Sequence, residues 1–132
     1  MDFRSVRIIT GDIGRLVGFY ERVTGVTATW FTPEFAELAT PHATLAIGST
    51  QTFAQFVPDG TELGGSSGLI IEFLADDVDK TYQDLAEVLG DVLKQPTTMP
   101  WGNRSLLFRD PDGHLVNFFT PVFPAAIEKF AR

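Results

Sequence analysis

Few side chains in this sequence can do chemistry. Its 132 residues include no cysteine and two histidines. Thiolate nucleophiles, disulfides and Cys-ligated metals are therefore excluded, while the redox compartment stays open. His42 lies in the turn-like stretch TPHAT, and His114 follows the turn DPDG. The two share no strand face, match no metal-ligand spacing and complete no Ser-His-Asp arrangement, so both read as surface residues. What remains is a guanidinium at Arg7 in VRIIT, a carboxylate at Glu72 in IIEFL and an amide at Asn117 in HLVNFF. Aromatic rings add to these, with 12 Phe, 2 Trp and 2 Tyr. Trp30 and Trp101 fall in loops or at strand ends, where flat faces can receive planar or cationic ligands. Phe56 and Phe119 carry the same possibility beside an ordinary packing role.

The elements that must position these groups come in two copies. DIGRLVGFYERVTG and DVDKTYQDLAEVLG have equal length, and Asp12 to Asp77 and Gly25 to Gly90 are both separated by 65 positions. Ile13, Leu16, Val17 and Tyr20 follow a one-face helical spacing that Val78, Thr81, Tyr82 and Leu85 repeat. Each copy opens on an Asp suited to capping orphan N–H groups and closes on a Gly able to turn left-handed. The same offset relates Val6 and Ile8 to Ile71 and Phe73, Gly48 to Gly113, and Val57 to Val122. The first copy reads as strands 4–10, 26–32, 35–40 and 44–57 around a helix at 13–24. The second reads as strands 69–75, 91–95, 104–109 and 114–120 around a helix at 78–89. Arg7 and Glu72 are one period apart, so the repeat puts them in equivalent places.

The fold class expected is α+β: a single domain over 1–132 built from tandem βαβββ modules, 3–57 and 69–122. PDGTELGGSSG at 58–68 reads as a linker, and 123–132 as a short helix with Pro124 in its first turn. The formal net charge of −7 leaves no basic stripe for a phosphate backbone, so no nucleic-acid partner is expected. No apolar run reaches the roughly 18 residues of a spanning helix, and MDFRSVRIIT opens on a strand pattern. No membrane partner and a cytoplasmic location are the expectations.

The duplicated modules and the stretch PWGNRSLLFRDPDGHLVNFF (Pro100 to Phe119) resemble the vicinal oxygen chelate superfamily, which includes glyoxalase I, extradiol dioxygenases and bleomycin-resistance binding proteins. The resemblance runs from Val6 to about Val122 and is greatest to the antibiotic-resistance branch. It implies modules whose sheets curl around a cleft, commonly in a homodimer. Enzymes of this group hold one divalent ion on His or carboxylate ligands from first and last strands. Carried onto this chain, those positions are Ser5, Thr52, Ile70 and Asn117, with Ala54 as the alternative to Thr52. Hydroxyls and an amide are weak neutral ligands and Ile donates nothing, so no metal and no cofactor are expected.

Strand alternation puts Val6 and Ile8 under the helices and Ser5, Arg7 and Ile9 on the other face; Leu69, Ile71 and Phe73 oppose Ile70, Glu72 and Leu74 in the same way. Arg7 and Glu72 then approach each other or share a polar ligand; an ion pair that sets register is the alternative. Arg104 reads as a structural arginine anchoring the WGNR loop. The expected function is metal-free binding of a small aromatic or cationic toxic compound. The alternative is a lyase, isomerase or dioxygenase of the same fold, metal-dependent or using Glu72 as a general base.

Overall fold

Two short polar contacts start the first half of the chain. The Asp12 carboxylate accepts the Arg15 N–H at 3.2 Å, and Gly25, at φ 73°, donates its N–H to Glu21 O at 3.0 Å. These caps bound α1 (Ile13–Thr24) as the sequence predicts. Leu16, Val17, Tyr20 and Val23 form its buried stripe. A computed structural model describes residues 1–64 and 68–131, and the chain divides into compact units, Met1–Gly64 and Gly65–Arg132. Of the predicted linker, residues 65–67 lie outside the described residues, as does Arg132 in the predicted C-terminal segment.

In the first unit, β1 (Ser5–Thr10), β2 (Thr29–Thr32), β3 (Phe35–Ala39) and β4 (Thr44–Ser49) form one sheet in the order β1-β4-β3-β2. β1 and β4 run parallel, with Arg7 opposite Ala46; the other pairings are antiparallel. In β1, Ile8 and Thr10 are buried while Ser5 and Arg7 are exposed, the alternation expected of a half-covered strand.

The predicted strand 44–57 ends at Ser49 and turns into a helix, α2 (Thr50–Phe56). Ser49 is its N-cap, accepting the Thr52 N–H at 3.2 Å. The Thr and Phe residues of TQTFAQF favour strands intrinsically, but the cap and the approach to β4 override that preference. Gly48 makes the approach possible, since a Cβ there would lie 2.6 Å from Thr52 Oγ1.

The second unit repeats the plan with β5 (Ile70–Leu74), α3 (Val78–Leu85), β6 (Val92–Thr98), β7 (Asn103–Arg109), β8 (Leu115–Pro121) and α4 (Pro124–Phe130), in sheet order β5-β8-β7-β6. Asp77 caps α3 through the Lys80 N–H at 3.1 Å. The helix stops at Leu85 rather than reaching 89. The Val88 and Leu89 N–H groups both turn back to Leu85 O, at 2.8 and 3.0 Å, and tighten the chain. Gly90 is accordingly not among the left-handed glycines, although Leu89 still reaches the core. Edge-to-face rings fill that core, with Phe118 at 4.9 Å from Phe108 and 5.6 Å from Phe73.

The repeat is thus βαβββα in each unit, α2 and α4 each following a last strand. Register also corrects the constant offset. Arg7 pairs with Ala46, and its equivalent Glu72 pairs with Asn117, so Ala46 rather than Thr52 corresponds to Asn117. Gly48 is a strand residue, whereas Gly113 occupies a turn at φ 89°.

Arg104 is structural, as expected, and its partner is now defined. Its guanidinium grips Asp79 of α3 through Nε at 2.8 Å and Nη2 at 3.0 Å, tying β7 to the helix. The hydrogen bond from Arg104 holds the Asp79 carboxyl below its ordinary range. A depressed carboxylate contributes stability above its unfolded pKa and loses it as pH falls through the folded one. Arg104→Gln is therefore expected to lower Tm slightly in neutral buffer and to have no effect in strongly acidic buffer. An equal deficit at both pH values, measured by thermal melts, would contradict this assignment.

Candidate functional site

Parallel pairing of β5 with β8 sets Glu72 directly beside Asn117, and Asn117 Nδ2 donates to Glu72 Oε2 at 2.8 Å. The row continues across the sheet through Leu107 to Lys94. On β5 the carboxylate is flanked by Ile70 and Leu74, 50% and 55% exposed. Along β5 the neighbours are thus apolar, with one exposed carboxylate between them held by an amide. Among the described residues of the second unit Glu72 forms no ion pair.

The amide orientation follows from chemistry. Reversing it would set the Asn117 oxygen against a carboxylate oxygen, two acceptors with no proton between them. Asn117 Oδ1 therefore points away from Glu72, and it is buried without a hydrogen-bond partner. Asn103 Oδ1 and Ser105 Oγ share that condition. Asn103 and Ser105 alternate with Leu107 along β7, and Leu107 pairs with Asn117, so the three unpartnered atoms belong to one face of one sheet. A buried acceptor left unpaired costs about 1–3 kcal/mol.

In the first unit, Arg7 is exposed and extends its guanidinium over two rings, Phe35 at 4.9 Å and Phe56 at 5.2 Å. Phe35 comes from β3 and Phe56 from the last turn of α2, so the helix that replaced the predicted strand supplies half of this clamp. The position of Phe35 was legible; its role was not, because Arg7 reaches it only across the sheet. Phe31 joins the cluster at 6.0 Å from Phe35, next to the register shift between Trp30 and Thr32. Trp30 departs from it. Trp30 pairs with Ala36, which lies with Ile47 and Ile8 on the α1 side of the sheet, away from Arg7.

Trp101 occupies the turn between β6 and β7, where Gly102 donates its N–H to Met99 O at 2.9 Å and Pro100 presets the bend. Its ring is 65% exposed. Phe119 is buried, with Phe130 of α4 at 4.9 Å, so its ring is taken up in packing. His42 is exposed as expected, whereas His114 is not a surface residue. Its Nδ1 lies 2.7 Å from Asp110 Oδ2, and Asp110 Oδ1 accepts the Asp112 and His114 N–H groups at 2.9 Å each. A buried carboxylate thus organises the DPDG turn and takes the imidazole with it.

The positions that the family resemblance assigns to a metal do not fit one. Ser5 is an exposed hydroxyl, and Thr52 lies on α2 with its hydroxyl donated to Ser49 O at 2.7 Å. Ile70 has no donor atom, and Asn117 offers only a neutral amide oxygen that is closed to solvent. Ala46, which register makes the equivalent of Asn117, offers nothing either. Among the described residues no three His, Cys, Asp or Glu side chains gather as a metal site.

The unpartnered amide oxygen yields a stability prediction. Asn117→Leu keeps the volume and removes the orphan acceptor at the loss of one exposed hydrogen bond, so urea unfolding should show about 1 kcal/mol of added stability. A loss of stability would mean that the amide is satisfied in solution.

The sequence pattern of the Glyoxalase/Bleomycin resistance protein/Dioxygenase superfamily matches residues 3–118. The chain is 28% identical over 125 residues to the protein YraH of Bacillus subtilis (strain 168), covering 90% of this chain and 98% of that one. Many solved structures share its fold, two of which illustrate the range of similarity. One is a glyoxalase/bleomycin resistance protein/dioxygenase family enzyme from Burkholderia phytofirmans PsJN, with TM-score 0.77, 21% identity, and coverage of 92% and 100%. The other is TioX from Micromonospora sp. ML1, with TM-score 0.71, 23% identity, and coverage of 92% and 100%. With the duplicated architecture and the match over nearly the whole chain, this protein belongs to the glyoxalase/bleomycin resistance protein/dioxygenase superfamily.

Proposed function

We propose that this member of the superfamily is a metal-free small-molecule binding protein, acting as a cytoplasmic homodimer of the antibiotic-resistance kind. Its ligand is an aromatic or amphipathic toxic compound, held by stacking and a few polar contacts and removed from solution by mass action. The observation that carries this reading is the Glu72–Asn117 pair. Where the family's enzymes place a metal ligand on the last strand, this chain has an amide tied to a neighbouring carboxylate. Supporting it are large rings that packing does not require, Trp101 and Phe56, the latter 73% exposed. Sequestration needs no group that gives or takes a proton, and it tolerates a site built from rings and hydrogen bonds. Among the described residues no helix is long and apolar enough to cross a membrane.

Native mass spectrometry on protein purified without chelator or metal-binding tag tests the reading. The expected result is a dimer mass without stoichiometric metal. One divalent ion per subunit, together with an activity lost on chelation, would overturn it in favour of an enzyme. For an aromatic compound that binds in a fluorescence titration, Trp101→Ala is expected to weaken binding roughly 3- to 10-fold, the worth of one stacking contact. Tm should not change, because the ring is exposed. Unaltered affinity would remove Trp101 from the site.

A further inference from the structure

We propose that the Glu72–Asn117 face of the second unit recognises an organic cation carrying at least two N–H donors on an apolar body. This rests on the binding reading above and names the class of ligand for it. The pair consists of a carboxylate and an amide, and one of the two N–H bonds of Asn117 Nδ2 is used between them. Beside the second Asn117 N–H, the hydrogen-bonding positions left over are acceptors: the free lone pairs of Glu72 and the buried Asn117 Oδ1. An ammonium, amidinium or guanidinium group offers donors only, and so complements this set.

Charge selects in the same direction. Within the second unit Glu72 has no cationic partner among the described residues, Lys94 of its row lying at the opposite edge of the sheet, and the chain carries a net charge of −7. An anion would meet the carboxylate, and an acceptor-only ligand would leave its free lone pairs unpaired. Half-exposed Ile70 and Leu74 on either side of Glu72 give the apolar body somewhere to lie. Farther across the same face, Ser105 Oγ and Asn103 Oδ1 are also buried and unpartnered. Asn117 Oδ1 is closed to solvent, so contact with it requires the side chains around it to part.

The test uses four probes of one shape: benzylammonium, benzyltrimethylammonium, benzyl alcohol and benzoate. Each is titrated by calorimetry into the intact protein and into Glu72→Gln and Asn117→Leu, with melts to show that both variants fold. Benzylammonium is expected to bind best. Full methylation, which keeps the charge and removes the N–H groups, should weaken it at least tenfold, and so should either substitution. The ¹⁵N resonance of the Asn117 side chain should shift with benzylammonium alone. Equal binding of the ammonium and its methylated form, or variants that bind like the original, would overturn the proposal. Binding of benzyl alcohol or benzoate without benzylammonium would leave the binding reading standing and remove this one. No binding by any of the four would count against both.

Discussion

Parallel pairing of a first strand with a last strand is the constraint on which the rest depends. In the second unit it places residues 45 apart in sequence side by side, and one hydrogen bond, from Asn117 to Glu72, records the result. Such pairing needs a long connection, which here includes a helix and two antiparallel strands. Both ends of that connection are pinned. At one end Thr120 Oγ1 accepts the Val78 N–H at 2.9 Å and donates to Ala75 O at 2.7 Å, joining the start of α3 to β8. At the other, buried Asp110 fixes the turn that launches β8. A slip of one residue would turn Asn117 to the helix side and Val116 to the other face, which the buried ring cluster forbids.

The two units share a plan and diverge in the chemistry of equivalent positions. Where the second unit has Glu72 beside Asn117, the first has Arg7 beside Ala46. The small side chain in the first leaves the guanidinium to lie on Phe35 and Phe56 instead. Duplication thus supplies two polar positions on equivalent strands, and their neighbours decide what each can offer. One unit presents a stacked guanidinium, the other a carboxylate with acceptors around it.

The unpartnered acceptors of β7 and β8 run against the packing logic of the rest of the fold. Elsewhere among the described residues polar groups find partners: buried Asp110 accepts from the Asp112 and His114 N–H groups and the His114 ring, and half-buried Thr120 makes two hydrogen bonds. Stability selection alone would favour apolar residues at these positions. Their concentration on one sheet face is the kind of local inconsistency that function sustains at the expense of stability.

Local chemistry made much of this protein legible in the sequence. Asp caps, a helix-ending Gly25, the DPDG turn and strand alternation act over a few residues, so they revealed the repeat, the fold class and the faces of β1 and β5. The same reading singled out Arg7, Glu72 and Asn117 as candidates, because a lone charge or amide in an apolar strand stands out. It failed where tertiary context overrode local preference. TQTFAQF reads as a strand and became α2, and the helix predicted to Leu89 tightened at Leu85. The constant offset from Gly48 to Gly113 gave way to a register that matches Asn117 with Ala46. Only the assembled sheet decided that Phe56 would clamp Arg7, that Trp30 would face α1, and that Phe119 would be buried beneath Phe130. It also decided which acceptors would lack partners, since register and burial are settled by packing between residues far apart in the chain.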